Sequence, residues 1–326
     1  MGPDLTSCLK SPQARYAAHA AAAKGYAFRS LDGEDGYLFE VRDGQRRATF
    51  AAGSGTPYAL NDARAAAVAR DKAFCAIVLG AAGLPALPGE MFFVTARWSQ
   101  MRHPGRELVD AQNYLSHVNF PVFCKPISGS NGLYAEVVAS LEEFTAYVGR
   151  VSREHFAILV QPYIQAPEYR VFVLNDRALF SYRKRLPSVV GDGRRTLREL
   201  MAMAAAPDQP AIANVRARDQ AGRLFDPDRA PEKGARIVLE GPANRAAGGG
   251  AEALREGASD ALANLARAAA GAIGLRLAAI DVFELSAGAL TVIEVNSNPM
   301  IATLEEAGRW DLIDAIWTAN IEAALR

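Results

Sequence analysis

Near its C-terminus the chain reads Ile280-Asp281-Val282-Phe283-Glu284-Leu285, then Ser286-Ala287-Gly288-Ala289, then Leu290-Thr291-Val292-Ile293-Glu294-Val295-Asn296-Ser297-Asn298-Pro299. Two β-rich runs around four small turn residues predict a hairpin. With Ala287-Gly288 as a two-residue loop, the strands pair outward and Asp281 falls opposite Glu294. Residues two apart share a strand face, so Asn296 joins them. The other face, Ile280, Val282, Ile293 and Val295, is apolar, and Phe283 and Val292 flank the acids. Both faces are therefore expected to be buried. Acids on a solvent-facing hairpin are ordinary. Facing each other inside a protein they repel and need a partner. Two carboxylates and a carboxamide are oxygen-only donors, which suit Mg²⁺, an ion that keeps waters and takes phosphate oxygens as its remaining ligands.

At 326 residues the chain is long enough for a substantial core in two or three lobes. Lys+Arg and Asp+Glu both number 36, so there is no net charge to coat a polyanion, and no nucleic-acid partner is expected. Cys8, Cys75 and Cys124 have no metal-ligand spacing, and His19, His103, His117 and His155 form no HxH or HxxxH cluster, so zinc is not expected. The alanine run at 17–23 is too short and too weakly apolar to span a membrane. No membrane association and a cytoplasmic location are the expectations.

Residues 1–62 look like a small irregular module with a hairpin around Asp43-Gly44. Asn61 or Asp62 caps a predicted helix over 63–82, with Lys72 in its middle. Strands are predicted at 91–95, 121–126, 156–163, 168–174, 178–183 and 236–239. Helices are predicted at 110–117, 140–151, 196–205, 258–274 and 310–325. Strands and helices alternate irregularly, which predicts α+β lobes rather than a doubly wound sheet.

Several residues along this path could carry chemistry. Lys125 ends an apolar strand just before Ser128-Gly129-Ser130-Asn131-Gly132, whose amides could close over phosphates. No Gly-Lys-Ser/Thr opens a helix there, so this is not a Walker loop. Arg170, Arg183 and Arg185 lie on adjacent strands, and Arg170 and Arg185 could reach one site. Cations from neighbouring strands suit a triphosphate or acyl phosphate, although a salt-laced edge strand would look the same. Asn244 with Gly248-Gly249-Gly250 makes a second loop that allows close backbone approach.

In this order these segments resemble the ATP-grasp carboxylate–amine ligases, over about residues 59–300. Ala69-Arg70-Asp71-Lys72 resembles the helix with a nucleotide lysine. Phe120 to Gly132 resembles the second lysine and phosphate-covering loop. Gln161-Pro162-Tyr163-Ile164 resembles the adenine hinge, and Glu168-Tyr169-Arg170-Val171 the segment with a ribose-binding glutamate. Val189-Val190-Gly191-Asp192-Gly193 is close to a cyanophycin synthetase signature. Asn244 with its glycines resembles an Asn-x-x-x-Gly-Gly loop, and Asp281, Glu294 and Asn296 the magnesium triad.

The resemblance implies an ATP-grasp fold of two α+β lobes, 63–165 and 166–326, behind the N-terminal module. It implies a reaction in which ATP phosphorylates a carboxylate and an amine then displaces phosphate. Lys72, Lys125 and Arg185 would hold ATP phosphates, with Arg183 a substitute for Arg185. Ser128 and Gly129 would cover the phosphates, Gln161 and Tyr163 would flank adenine, and Glu168 would hold the ribose. Asp281, Glu294 and Asn296 would hold one or two Mg²⁺ ions, with Mn²⁺ able to stand in. Arg170, Arg185, Asn244 and Arg245 are the catalytic candidates, Arg170 or Arg245 steadying the acyl phosphate. Small-molecule carboxylate and amine substrates are expected, with a homodimer as one open oligomeric state. A phosphotransferase and a non-catalytic ATP-binding module are the alternatives. The chain departs from the pattern at Ala279, where some members carry arginine, and at Met300, where glycine is common. It shows no Mur-ligase-like half, so cyanophycin synthesis is not expected.

Overall fold

The computed structural model describes residues 8–53, 56–129, 132–204, 216–243 and 249–326. Ser11 caps α1 (Pro12–Ala23), with Pro12 in the first turn, where its missing N–H leaves nothing unpaired. Strands β1 (Ala27–Ser30), β2 (Leu38–Asp43) and β3 (Arg46–Ala51) form a three-stranded antiparallel sheet. Its tight turn holds Gly44 at φ 58°, as the Asp-Gly pair predicts. The helix expected over 63–82 is two helices, α2 (Ala63–Arg70) and α3 (Lys72–Ala81). Asp71 leaves the helical region at ψ 107° and accepts from the amides of Ala73 and Phe74, which ends one helix and starts the next. Lys72 is therefore a first-turn residue, not a mid-helix one.

Next come β4 (Glu90–Phe93), α4 (Leu108–Leu115), β5 (Val122–Pro126), β6 (Glu136–Val138), α5 (Leu141–Val151) and β7 (Ala157–Pro162). The four strands make one antiparallel sheet in the order β4-β7-β5-β6. Its back face packs Cys124, Val138, Ile158 and Val160 against Ala111, Leu115, Phe144 and Tyr147 of α4 and α5. Its front face carries Lys125 opposite Leu159, and Gln161.

The second large sheet is built from β8 (Glu168–Leu174), β9 (Arg177–Arg185), β13 (Gly250–Ala251), β14 (Arg255–Glu256), β15 (Leu277–Glu284) and β16 (Leu290–Asn296), in the order β13-β9-β8-β15-β16, with β14 also on β9. Between β9 and β13 the chain makes a side module of β10 (Ser188–Val190), α6 (Leu197–Ala204), β11 (Ala217–Arg218) and β12 (Arg236–Leu239), with its own small core of Leu197, Ala217, Ile237 and Leu239. Gly274 at φ 88° closes α7 (Asp260–Ile273), and α8 (Ala302–Glu306) and α9 (Trp310–Ala324) follow the sheet.

β15 is buried on both faces, as its composition predicts. One face packs Ala278, Ile280 and Val282 against α2, α3 and α7. The other packs Leu277 and Ala279 into a core with Tyr16, Phe39, Phe50, Tyr58 and Trp317. The described residues between Leu9 and Leu60 thus share a core with the last helix. Two residues beyond Ala279 the same face leaves that core and becomes the floor of the cleft, at Asp281.

Candidate active site

The opening hairpin has the expected pairing by an unexpected route. Its turn is longer than two residues, with a 3-10 turn at Ser286–Gly288, so Val282 pairs with Val292. A bulge between Asp281 and Val282 restores the register, and Asp281 stands opposite Glu294. On its other side Asp281 pairs with Arg170 of β8.

The Asp281 carboxylate, 2% exposed, is engaged on both oxygens. Arg170 donates to it from Nε and Nη2 and Lys184 from Nζ, each at 2.7 Å. Lys184 also donates to Glu168, so one buried ammonium bridges two carboxylates. Burial pushes the Asp281 carboxyl up, but Arg170 and Lys184 outweigh it and hold it well below the usual carboxylate range. Glu168 goes the other way. Burial raises it, and the Lys184 contact only partly offsets that.

Lys72 spans the cleft. Its Nζ donates to the Gly129 carbonyl at 3.0 Å and lies 3.8 Å from Glu294. Among the described residues no hydrogen bond reaches the Glu294 carboxylate, which keeps its lone pairs for a ligand. Burial raises that carboxyl, and Lys72 and Lys125 pull it below its ordinary value. Lys125 is itself buried, and desolvation, opposed by Glu294, lowers its pKa. At ordinary charges four cations, Lys72, Lys125, Arg170 and Lys184, surround three carboxylates, Glu168, Asp281 and Glu294. The cluster carries one surplus positive charge.

Other expected site residues are placed variously. Asn296 shares the face of Glu294, and its Oδ1 accepts from the Asn298 amide at 2.9 Å. Gln161 is buried, donates to the Leu87 carbonyl at 3.2 Å, and among the described residues its Oε1 finds no partner. Gly89 permits this approach, since a Cβ there would lie 2.6 Å from Gln161 Cγ. Tyr163 is half-buried beyond the end of β7, and Ser128 lies at the mouth of the loop. Asn244 and Arg245 lie outside the described residues, as do Ser130, Asn131 and Gly248.

Arg185 is not brought into the cluster, contrary to expectation. Its Nη2 donates to the Ala251 carbonyl at 2.8 Å, along the sheet edge, and Arg183 lies 3.9 Å from Glu252. The reason is a bulge in β9. Counting outward from the Asn175-Asp176 turn puts Arg183 opposite Glu168 and turns Arg183 and Arg185 inward. In the structure Val173 pairs with Ala178 and Phe172 with Phe180, so Leu179 is extra. That one residue reverses the faces, and Lys184 turns in.

Among the described residues no three His, Cys, Asp or Glu side chains form a ready-made metal cage. The donors still fit a hard cation. Glu294 is open, and the Asn296 Oδ1 and the Asp281 carboxylate each retain lone-pair capacity beyond the bonds they accept. Such a cation would need phosphate or water oxygens to complete its shell.

No family model matches the chain. It is 28% identical over 248 residues to a glutathione biosynthesis bifunctional protein of Enterococcus faecalis, covering 68% of this chain and 31% of that one. It is 29% identical over 182 residues to a D-alanine–D-alanine ligase of Gluconobacter oxydans, covering 55% of this chain and 50% of that one. The chain thus spans half or less of the length of these curated relatives. Among solved structures, a bifunctional glutathione synthetase from Pasteurella multocida aligns with a TM-score of 0.50 at 19% identity, covering 97% of this chain and 46% of that one. Two α+β lobes with a charged cleft between their sheets make this an ATP-grasp fold. In sequence the chain is similar to these two ligation enzymes, and in fold to the solved synthetase. Among the described residues no helix is long and apolar enough to cross a membrane.

Proposed function

We propose that the protein is an ATP-dependent ligase that forms an amide between a small carboxylic acid and an amine. One observation carries this: a buried cluster of four cations and three carboxylates where the two sheets face each other. A surplus of positive charge in a largely buried cleft suits a polyphosphate and an acyl phosphate. In this proposal a carboxylate oxygen attacks the γ-phosphorus of ATP as the bond to ADP breaks. The amine then attacks the acyl carbon, phosphate departs, and the nitrogen loses a proton.

The residues mainly position and neutralise. Lys72 and Lys125 hold phosphates from opposite sides of the cleft, beneath a loop that begins at Ser128 and Gly129. Lys184 takes the place first expected of Arg185. Arg170, fixed bidentately by Asp281, faces the transferred group. Gln161 and Tyr163 flank the base, and Glu168 takes a ribose hydroxyl. Asp281, Glu294 and Asn296 would hold Mg²⁺, which supplies charge neutralisation to the phosphates when bound. Residues 206–234 and 244–250 are proposed to choose the substrates, and amino acids or small metabolites are the proposed class.

The test is incubation with ATP, Mg²⁺ and a pool of amino acids. ADP, phosphate and a new amide mass are expected. AMP and pyrophosphate would overturn the acyl-phosphate route, and a stable phosphorylated product without amide would favour phosphotransfer.

A further inference from the structure

The side module is tied to the hinge through one buried carboxylate that sequence reasoning did not single out. Glu240 follows β12, and its side chain is 2% exposed. Arg216 Nε donates to its Oε2 at 3.1 Å, and Arg218 donates to Oε1 from the neighbouring strand. Gln165, just past the Gln161–Ile164 segment, donates from Nε2 to the same Oε1 at 2.8 Å and to the Tyr163 hydroxyl at 3.2 Å. A chain of bonds therefore runs from two arginines of the module through Glu240 and Gln165 to Tyr163. Burial pushes the Tyr163 hydroxyl up, the Gln165 bond and the two arginines pull it down, and Glu240 adds to the rise.

The position of Glu240 gives this tie a direction. After it come Gly241 at φ 135° and Pro242, and then the segment 244–248, from which the chain returns to the edge of β9 at Gly250. Glu240 is thus where the module hands the chain to the glycine-rich segment. It is also where the module grips the link between the two large sheets. A surface ion pair would do little here. A desolvated carboxylate with three donors holds its partners in one geometry.

We infer that Glu240 is a positioning residue for nucleotide recognition: through Gln165 it fixes Tyr163 and the hinge, and so sets affinity and selectivity for the base. This rests on the ATP-dependent reading of the cleft. Nothing in it requires Glu240 to touch the nucleotide.

The experiment measures calorimetric binding of ATP and GTP, each with Mg²⁺, to the wild type, E240A, E240Q and Q165A. Wild type should prefer ATP. E240A should bind ATP about tenfold more weakly, a loss near 1.4 kcal/mol, and its preference over GTP should shrink. E240Q keeps an acceptor for Gln165 and should recover part of the loss. Q165A leaves both arginine pairs intact and should reproduce E240A, so it carries the test if E240A does not fold. A merely structural Glu240 would lower stability in E240A and leave Q165A binding as wild type, which overturns the inference. Unchanged affinity and selectivity in both variants overturns it as well, with the ATP reading intact. A wild type that binds neither nucleotide would instead remove the ATP reading and this inference with it.

Discussion

Replacing Asp281 with asparagine tests the charged floor most directly. The carboxylate accepts three charge-assisted bonds at 2.7 Å, two from Arg170 and one from Lys184. Asparagine keeps the shape, but it brings an amide donor against donors and removes the charge. Four cations would then face two carboxylates in a buried cluster. Removing one partner of a buried pair costs about 3–5 kcal/mol, because the other charge stays buried and uncompensated. Coulomb's law agrees: unit charges 4 Å apart at an effective dielectric of 20 interact by about 4 kcal/mol. At roughly 2 °C per kcal/mol for a large domain, the thermal midpoint should fall by about 6–10 °C. Scanning calorimetry at neutral pH without nucleotide measures this. A double variant, D281N with K184M, removes the cation left stranded and should recover at least about 1 kcal/mol relative to D281N. A D281N midpoint within about 2 °C of wild type, or a double variant no more stable than D281N, would refute the ion-pair account.

Three further outcomes are expected. Asp281 and Glu294 are held below the usual carboxylate range, where burial is outweighed by their cations. A depressed native pKa adds stability that is present above the unfolded value of about 4 and lost as pH falls below it, whereas the raised Glu168 contributes at low pH and fades as pH rises. The midpoint should therefore drop as pH falls through about 4, and D281N should flatten that drop. The surplus positive charge should keep Mn²⁺ out of the nucleotide-free protein. Water-proton relaxation should show enhancement with Mn²⁺ and ADP together and none with Mn²⁺ alone, and tight Mn²⁺ binding without nucleotide would refute the charge count. Lys125→Met should hold or raise the melting midpoint, since burial already disfavours that ammonium, yet abolish stabilisation by ATP with Mg²⁺. A marked fall in the midpoint would show that Lys125 supports the empty fold.

The floor of the site was legible in sequence because side-chain alternation is a strict rule. Counting from a tight turn sets Asp281 opposite Glu294. The count succeeded because two irregularities cancel: the turn is looser than assumed, and a bulge beside Asp281 absorbs the difference. In β9 such a count does not hold, because the turn at Asn175-Asp176 is tight but Leu179 is extra. One uncompensated bulge moved the inward cation from Arg185 to Lys184, and no turn residue or composition signal marks it. The break at Asp71 was also missed, although it carries its own signal: an aspartate whose side chain can cap the amides two and three residues on. The helix α1 lies in an alanine run too short to span a membrane, and Ser11-Pro12 before it is an ordinary helix start. Glu240 was silent because its meaning depends on Arg216, Arg218 and Gln165, partners that only the fold brings to it.

Two groups of the site are held in states that a bound polyphosphate would relieve. Lys125 is buried where desolvation outweighs the attraction of Glu294, so its charged form is disfavoured. Glu168 is buried where Lys184 only partly offsets desolvation and the nearby acids, so its charged form is disfavoured too. Neither shift benefits the fold by itself, and perturbed groups of this kind cluster at functional sites. A polyanion against Lys125 would raise its pKa, and a hydroxyl donating to Glu168 would lower that one. Asp281 behaves differently. Its cations are already in place, so it serves as the fixed counter-charge that keeps Arg170 and Lys184 aimed before anything binds. Such preorganisation is what electrostatic catalysis requires, because the cost of orienting the charges is met during folding rather than in the reaction. The same division explains why D281N should act on stability first and K125M on binding first, though the two side chains lie in one cluster.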